Sequence, residues 1–135
     1  MMQVEVLERR KLRSNQSRQA AKLLIESLAE SHALRLLTLA DASGLPLSVA
    51  GSAVEAEVLA AYAPLLSRTL DAISRESIVD NLCAQIDGIT WEQISVRSFD
   101  INGDLFYLIA VGAPGATKDI ALYRAITGCR RILGG

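Results

Sequence analysis

Residues 36–57 read LLTLADASGLPLSVAGSAVEAE, a stretch with two apolar runs, a turn between them and the start of a helix. The run Leu36–Ala40 has no polar alternation, which favours a strand that is buried on both faces. A turn is predicted at 41–44, where Asp and Ser bond their own backbone and Gly adopts positive φ without steric strain. Leu45–Ala50 is the predicted return strand of this hairpin, with Pro46 acceptable near its start or on an unpaired edge.

A helix is predicted to begin at Ser52, directly after the hairpin. Ser52 and Glu55 have the spacing of a capping box, in which the hydroxyl meets the backbone of Glu55 and the carboxylate reaches back. The helix is predicted to run to about Ile73. Pro64 lies inside it and removes one hydrogen bond, so we expect a kink or a break near 62–64.

The same helix carries two apolar stripes, although a surface helix needs only one to pack on its sheet. The first stripe is Val54, Val58, Ala61 and Leu65, and the second is Leu59, Tyr62, Leu66, Leu70 and Ile73. The surplus stripe predicts the interface of a homodimer. Spacing alone does not determine which stripe faces the sheet. We assign the interface to Leu59, Tyr62, Leu66 and Leu70, with Val58, Ala61 and Leu65 as the alternative.

The rest of the chain contains three further helical patterns and two further strand patterns. The helices are predicted from Ser14 or Ser17 to about His32, over Ser74–Gln85 and over Lys118–Leu133, and the strands over Thr90–Phe99 and Leu105–Val111. The first of these strands has polar residues on both faces, which is typical of a sheet edge, whereas the second is fully apolar and therefore central. Asn102-Gly103 between them is a strong hairpin signal. Thr117 is predicted to cap the last helix.

The predicted order is α-β-β-α-(α)-β-β-α, an α/β (α+β) domain in which helices surround a central, mainly antiparallel sheet of four or five strands in three layers. This order resembles the roadblock family of dynein light chains and their bacterial relatives. Within the hairpin, the resemblance rests on Asp41, Gly44, Leu45, Pro46 and Leu47. It covers residues 14–133. The family usually has three strands after its central helix, so a fifth short strand is sought around 86–92.

The resemblance implies a non-catalytic, homodimeric interaction module that binds or regulates a small Ras-like GTPase or a related signalling or motility protein. The alternative is a profilin-like or PAS-like sensor domain that holds a small ligand between its sheet and a helix. Such a domain needs a cavity lined with polar groups.

Composition predicts a single domain over 14–135. The chain has 135 residues, of which 50% are hydrophobic and 4% aromatic, and its formal net charge of −1 argues against general nucleic-acid binding. Its first 22 residues hold six basic residues against two acidic ones, a balance of +4, so the remainder carries −5. Residues 1–13 form a predicted basic N-terminal arm, which is either a solvated leader or a contact for an anionic partner. No run approaches the length of a membrane span and no signal peptide is recognised, so we expect a cytoplasmic protein.

Few residues are candidates for chemistry. His32 is the only histidine, and Cys83 and Cys129 are the only cysteines, without the spacing of a zinc site or a catalytic pair. We interpret His32 as a helix cap or an exposed side chain, and both cysteines as small core residues. No catalytic, cofactor-binding or metal-binding residue is predicted. Trp91 and Phe99 are interpreted either as an exposed anchor for a partner or as a cover over the end of a helix.

Overall fold

The computed structural model describes the backbone of residues 2–69 and 71–134, and the side chains of residues 15–69, 71 and 73–134. The helices are α1 (Met2–Ser31), α2 (Ala53–Arg68), α3 (Ala72–Cys83), α4 (Ala116–Gly134) and a short 3-10 helix (Trp91–Gln93). The strands are β1 (Leu36–Asp41), β2 (Pro46–Ala50), β3 (Ile94–Ile101) and β4 (Asp104–Val111). The order α-β-β-α-α-β-β-α is therefore as the sequence predicts.

The four strands form one antiparallel sheet in the order β2-β1-β4-β3. β1 and β4 lie at its centre, as their apolar runs predict, and β3 lies at an edge. β2 is the other edge, and Pro46 is its first residue, where the missing N–H removes no interior ladder bond. Asn102 and Gly103 form the predicted tight turn, both with positive φ.

The core lies on both faces of the sheet, because neighbouring residues of a strand point to opposite sides. Leu36 and Ala40 of β1 pack with α2 and α3, whereas Leu37 and Leu39 pack with α1 and α4. Thr38, which lies between Leu37 and Leu39 in β1, is also buried, and it donates its hydroxyl hydrogen to the carbonyl of Ser48 at 2.8 Å. The three-layer arrangement is thus confirmed.

The predicted end of α2 is wrong. The helix ends at Arg68 and not near Ile73, because the backbone of Thr69 is extended, with φ −85° and ψ 116°. The N–H and the hydroxyl of Thr69 both bond the carbonyl of Leu65 in the last turn, at 3.1 and 2.8 Å. Asp71 then caps α3 by accepting the N–H of Ser74 at 2.8 Å. Pro64 lies inside α2 without ending it, so no break occurs at 62–64.

Three smaller predictions also need correction. Trp91–Gln93 is a 3-10 turn and not the start of β3, since the side chain of Gln93 accepts the N–H of Thr90 and holds the chain in a turn. Thr117 lies inside α4, which begins at Ala116 after a glycine-only conformation at Gly115, φ +133°. Helix α1 begins well before Ser14. Within the described residues the sheet has four strands, and 86–92 contains no fifth one.

Candidate interaction surfaces

Helix α2 lies across one face of the sheet and buries one side of its surface there. Its buried residues are Ala56, Leu59, Ala60, Ala63 and Leu66. The three alanines on this side allow the helix backbone to approach the strands closely. Ser52 caps the helix by accepting the N–H of Glu55 at 3.3 Å, as predicted. The Glu55 carboxylate does not reach back to Ser52, because it forms an ion pair with Arg35 at 2.8 Å.

The opposite side of α2 is an apolar surface, which we call the α2 outer stripe: Val54, Val58, Ala61 and Leu65. Val54 is 69% exposed and Leu65 is 43% exposed, Ala61 is exposed, and Val58 is half-buried. These residues are the first of the two stripes found in the sequence. Three of them, Val58, Ala61 and Leu65, are the alternative interface residues.

The stripe first assigned to the dimer interface contacts the sheet instead. Leu59 is 0% exposed and Leu66 is 5% exposed, so both are core residues that no partner can reach, and their assignment to an interface is corrected. Tyr62 is half-buried beside the same core cluster. Leu70 lies outside the described residues. Ile73 is exposed but belongs to α3.

Two exposed charges of α2 lie toward opposite ends of its solvent side. Glu57 lies near the N-terminal end, and Arg68 is the last residue of the helix, where its guanidinium also donates to the carbonyl of Pro64 at 3.0 Å. A cation near the C-terminus of a helix is favoured by the helix dipole. Glu57 and Arg68 therefore place opposite charges beside the outer stripe, one toward each end of α2.

The two aromatic candidates lie on opposite faces of the sheet, so they do not form one surface. Phe99 is buried against α1 and α4 with its ring centroid 6.1 Å from that of Phe106, so the interpretation of Phe99 as an exposed anchor is wrong. Trp91 is half-buried on the α2–α3 face, and the guanidinium of Arg75 lies 4.8 Å from its ring centroid. Trp91 therefore covers the beginning of α3 and also presents part of its ring to solvent.

Lys118 is a buried cation that the sequence analysis did not single out. It is 3% exposed, and its ammonium donates to the carbonyls of Glu92, Gln93 and Gly112 at 3.1, 3.1 and 3.4 Å. Burial lowers the pKa of Lys118, the neighbouring Asp119 opposes that change and Arg97 adds to it. The signal in the sequence was a lysine in the first turn of a helix, where positive charge opposes the dipole. Lys118 holds the 3-10 turn against the start of α4.

The remaining candidates for chemistry are structural or isolated. His32 follows the end of α1, and its Nδ1 lies 2.9 Å from the carbonyl of Leu28, a capping contact. Cys129 is fully buried, as expected, and burial raises its pKa to about 11. Cys83 is exposed, so its interpretation as a core residue is wrong. Across the described side chains, no group of three histidine, cysteine or acidic residues is placed to hold a metal ion.

A groove of about 540 Å³ opens between α1, α4 and one end of the sheet. Leu39, Ile101 and Phe106 form its apolar wall, and Arg18 and Asn102 are among its polar residues. Its lining thus combines apolar and polar groups, as the binding site of a ligand-sensing domain requires. Within the described part of the chain, none of the helices combines the length and the apolarity that a membrane crossing requires.

The helix order, the four-stranded antiparallel sheet and an outward-facing apolar stripe on the helix after the first hairpin define an α/β domain with helices on both faces of its sheet. Among solved structures, the chain is similar to Myxococcus xanthus MglB, with a TM-score of 0.51 and 12% sequence identity, over 86% of this chain and 89% of that chain. This likeness shows a shared fold and confirms at that level the resemblance found in the sequence. No family model matches the chain, and no curated protein matches it.

Proposed function

We propose that the chain is a homodimeric, non-catalytic interaction module of the cytoplasm that binds or regulates a small Ras-like GTPase. The observation that carries the proposal is the α2 outer stripe, which leaves Val54, Ala61 and Leu65 in water on a domain with the roadblock-like fold. Burying apolar surface is worth roughly 25 cal/mol per Å². A two-fold axis lets the stripe cover its own copy, because an isologous interface uses the same patch twice.

The charges of α2 support an antiparallel crossing of the two helices. When α2 lies antiparallel to its copy across a two-fold axis, Glu57 of one subunit lies toward Arg68 of the other, and the pair forms twice. A parallel crossing places like charges together at each end. Glu57→Arg and Arg68→Glu are each expected to weaken the dimer, and the double substitution is expected to restore it.

Light scattering on single variants tests the dimer. Leu65→Glu, in the outer stripe, is expected to give a folded monomer, with an unchanged circular dichroism spectrum. Leu59→Glu is the matched control on the other side of α2, and we expect it to unfold the domain because it places a charge in the core. A wild-type protein that stays monomeric at micromolar concentration contradicts the dimer, whatever the variants do.

The partner class comes from the roadblock resemblance and is tested separately. Small Ras-like GTPases of the same host, loaded with GDP or with a non-hydrolysable GTP analogue, are titrated with the protein by calorimetry. Stoichiometric binding that depends on the nucleotide, with a changed rate of GTP hydrolysis, supports a regulatory role. If neither nucleotide state of any of them binds, the partner class is wrong, and the dimer is unaffected.

A small-ligand sensor is the second candidate, because the groove between α1, α4 and the sheet has both apolar and polar walls. A ligand there is expected to raise the midpoint of thermal unfolding by mass action. Screening small metabolites by thermal shift tests this role, with Arg18→Ala to locate the site. A shift that survives Arg18→Ala and Phe106→Ala argues against the groove as the binding site.

A further inference from the structure

A second groove lies on the α2–α3 side of the molecule, between α3 and the segment 89–92. Its volume is about 600 Å³. Val79 and the buried Ile89 contribute apolar surface, with the half-buried ring of Trp91 beside them. Glu76 and Asp80 contribute carboxylates from α3. We call this the α3 groove.

The walls of the α3 groove are held in place by contacts from several elements. Arg75 lies over the Trp91 ring at 4.8 Å, and the thiol of Cys83 donates to the carbonyl of Ile89 at 3.2 Å. The ammonium of Lys118 donates a hydrogen bond to the carbonyl of Glu92 and so fixes the backbone of that residue. Ordering these groups before binding reduces the entropy lost when a partner docks.

The α3 groove has three acidic residues and one basic residue, Arg75, in its lining, and it belongs to an acidic segment of the chain. Residues 71–92 hold five acidic residues against Arg75, a balance of −4, which equals in size the +4 of residues 1–22. Glu76, Asp80 and Glu92 are exposed around the groove, and none of them forms an ion pair with a described side chain. An apolar floor with an uncompensated acidic rim fits a basic segment that also carries aliphatic side chains.

We propose that the α3 groove binds the basic N-terminal arm of a second copy of this chain. The arm supplies Arg9, Arg10 and Arg13 together with aliphatic residues, and it belongs to a helix. Arg9 and Arg13 are four residues apart, as are Glu76 and Asp80 of α3, so two ion pairs form at matching spacing when the helices lie side by side.

We assign the contact to two molecules, because the arm continues α1 as one helix from Met2 to Ser31 and does not turn back on its own domain. Ile25, Leu28 and Ala29 of α1 pack on the α1–α4 side of the sheet, whereas the groove lies on the α2–α3 side. The contact also differs from the α2 outer stripe. It is heterologous, with an arm on one copy and a groove on the other, so it links dimers into larger assemblies.

Fluorescence of Trp91, the single tryptophan of the chain, reports the binding directly. A synthetic peptide of residues 1–18 is titrated into the full-length chain carrying Arg9→Glu, Arg10→Glu and Arg13→Glu, so that its own arm does not compete. We expect a saturable change in Trp91 emission. The affinity is expected to fall steeply between about 0.1 M and about 1 M salt, as the screening length shrinks from about 10 Å to about 3 Å.

Two charge-matched variants of the full-length chain with the three arginine substitutions show whether the peptide binds in the α3 groove. Glu76→Lys with Asp80→Lys is expected to weaken peptide binding roughly tenfold or more. Glu26→Lys with Glu30→Lys changes net charge equally on exposed positions of α1, and we expect it to change the affinity less than about twofold. Equal losses in both variants, or no change in Trp91 emission with the peptide, overturn the proposal. Because Leu65→Glu leaves the groove intact, a failure here is distinguishable from a failure of the α2 dimer.

Discussion

Lys118 connects two loops through the hydrogen bonds of its ammonium group. Its three carbonyl partners come from the 3-10 turn and from the end of β4, so one side chain joins segments far apart in the chain. Charged groups are rarely buried without such partners, since an unpaired buried charge is expensive. The bonds satisfy both the cation and the carbonyls.

Replacing Lys118 with methionine keeps the aliphatic stem and removes the donors. We expect the free energy of unfolding to fall by about 1–3 kcal/mol, because three hydrogen bonds from a charged donor are lost. Urea unfolding followed by circular dichroism measures this. Lys22→Met is the control, since Lys22 is exposed and its pair with Glu26 spans 3.9 Å, and we expect it to change stability by less than about 0.5 kcal/mol. Equal effects of the two substitutions contradict the assigned role of Lys118.

Cys129 makes the free energy of unfolding depend on pH in the alkaline range. Burial raises its pKa from 9.0 to about 11, so the thiol stays protonated in the folded protein while the unfolded chain loses its proton. Stability from this group is fully present below pH 9 and is lost as the pH rises through 11. The shift of about two pH units corresponds to roughly 3 kcal/mol.

Cys129→Ala is therefore expected to flatten the loss of unfolding free energy between about pH 8 and about pH 11, measured by urea unfolding with reductant present. Cys83→Ala serves as the comparison, because Cys83 is exposed. A thiol reagent is also expected to modify one cysteine quickly in the native protein and the second only after unfolding. Equal pH profiles for wild type and Cys129→Ala would show that burial does not perturb this thiol.

At the scale of elements, the β1–β2 turn positions α2. Asp41 accepts the N–H groups of Ser43 and Leu45 at 3.0 and 3.1 Å, and the hydroxyl of Ser43 at 2.6 Å. The Ser43 hydroxyl, followed by the Leu45 N–H, lowers the pKa of Asp41. The turn then brings Gly44 against the middle of α2, where a Cβ at Gly44 would lie 3.2 Å from the Ala60 carbonyl oxygen.

Gly44→Ala tests this packing. Gly44 has φ +87°, a backbone conformation in which alanine is strained. The backbone of α2 also lies where the Cβ of alanine would stand, so the substitution pushes α2 away from the turn. Gly103→Ala is matched in backbone conformation, with φ +90°, but has no atom within 4 Å of the added Cβ. We expect both to lower the midpoint of urea unfolding, and Gly44→Ala to do so more, by about 1 kcal/mol or more in free energy. Equal effects contradict a close approach to α2.

For the whole molecule, the proposed dimer would link association to folding. Association stabilises the folded state by mass action, so the midpoint of thermal unfolding of the wild type is expected to rise with protein concentration. Leu65→Glu removes the apolar contact, and its midpoint is expected to be independent of concentration. Differential scanning calorimetry over a hundredfold range of concentration measures both. A wild-type midpoint that does not move contradicts a dimer in that range.

The sequence by itself determined the layout of the domain. Leu36–Ala40 and Leu105–Val111 are apolar on both faces, a pattern that only central strands covered by helices satisfy, and both lie at the centre of the sheet. Asp41 with Gly44, and Asn102-Gly103, specify their turns through local backbone chemistry that needs no partner from elsewhere. These signals are local or periodic, so the chain alone carries them.

Only the tertiary structure decided which side of each helix works in the core. Both stripes of the predicted helix are apolar in sequence, and the sheet selects Leu59 and Leu66 because the alanines beside them permit a close approach. The contacts of Trp91 and Lys118 likewise join residues distant in sequence, and no periodicity records which carbonyls a lysine will meet. The surfaces available to partners are what this packing leaves exposed, which is why the fold was predictable and the exposed side of α2 was not.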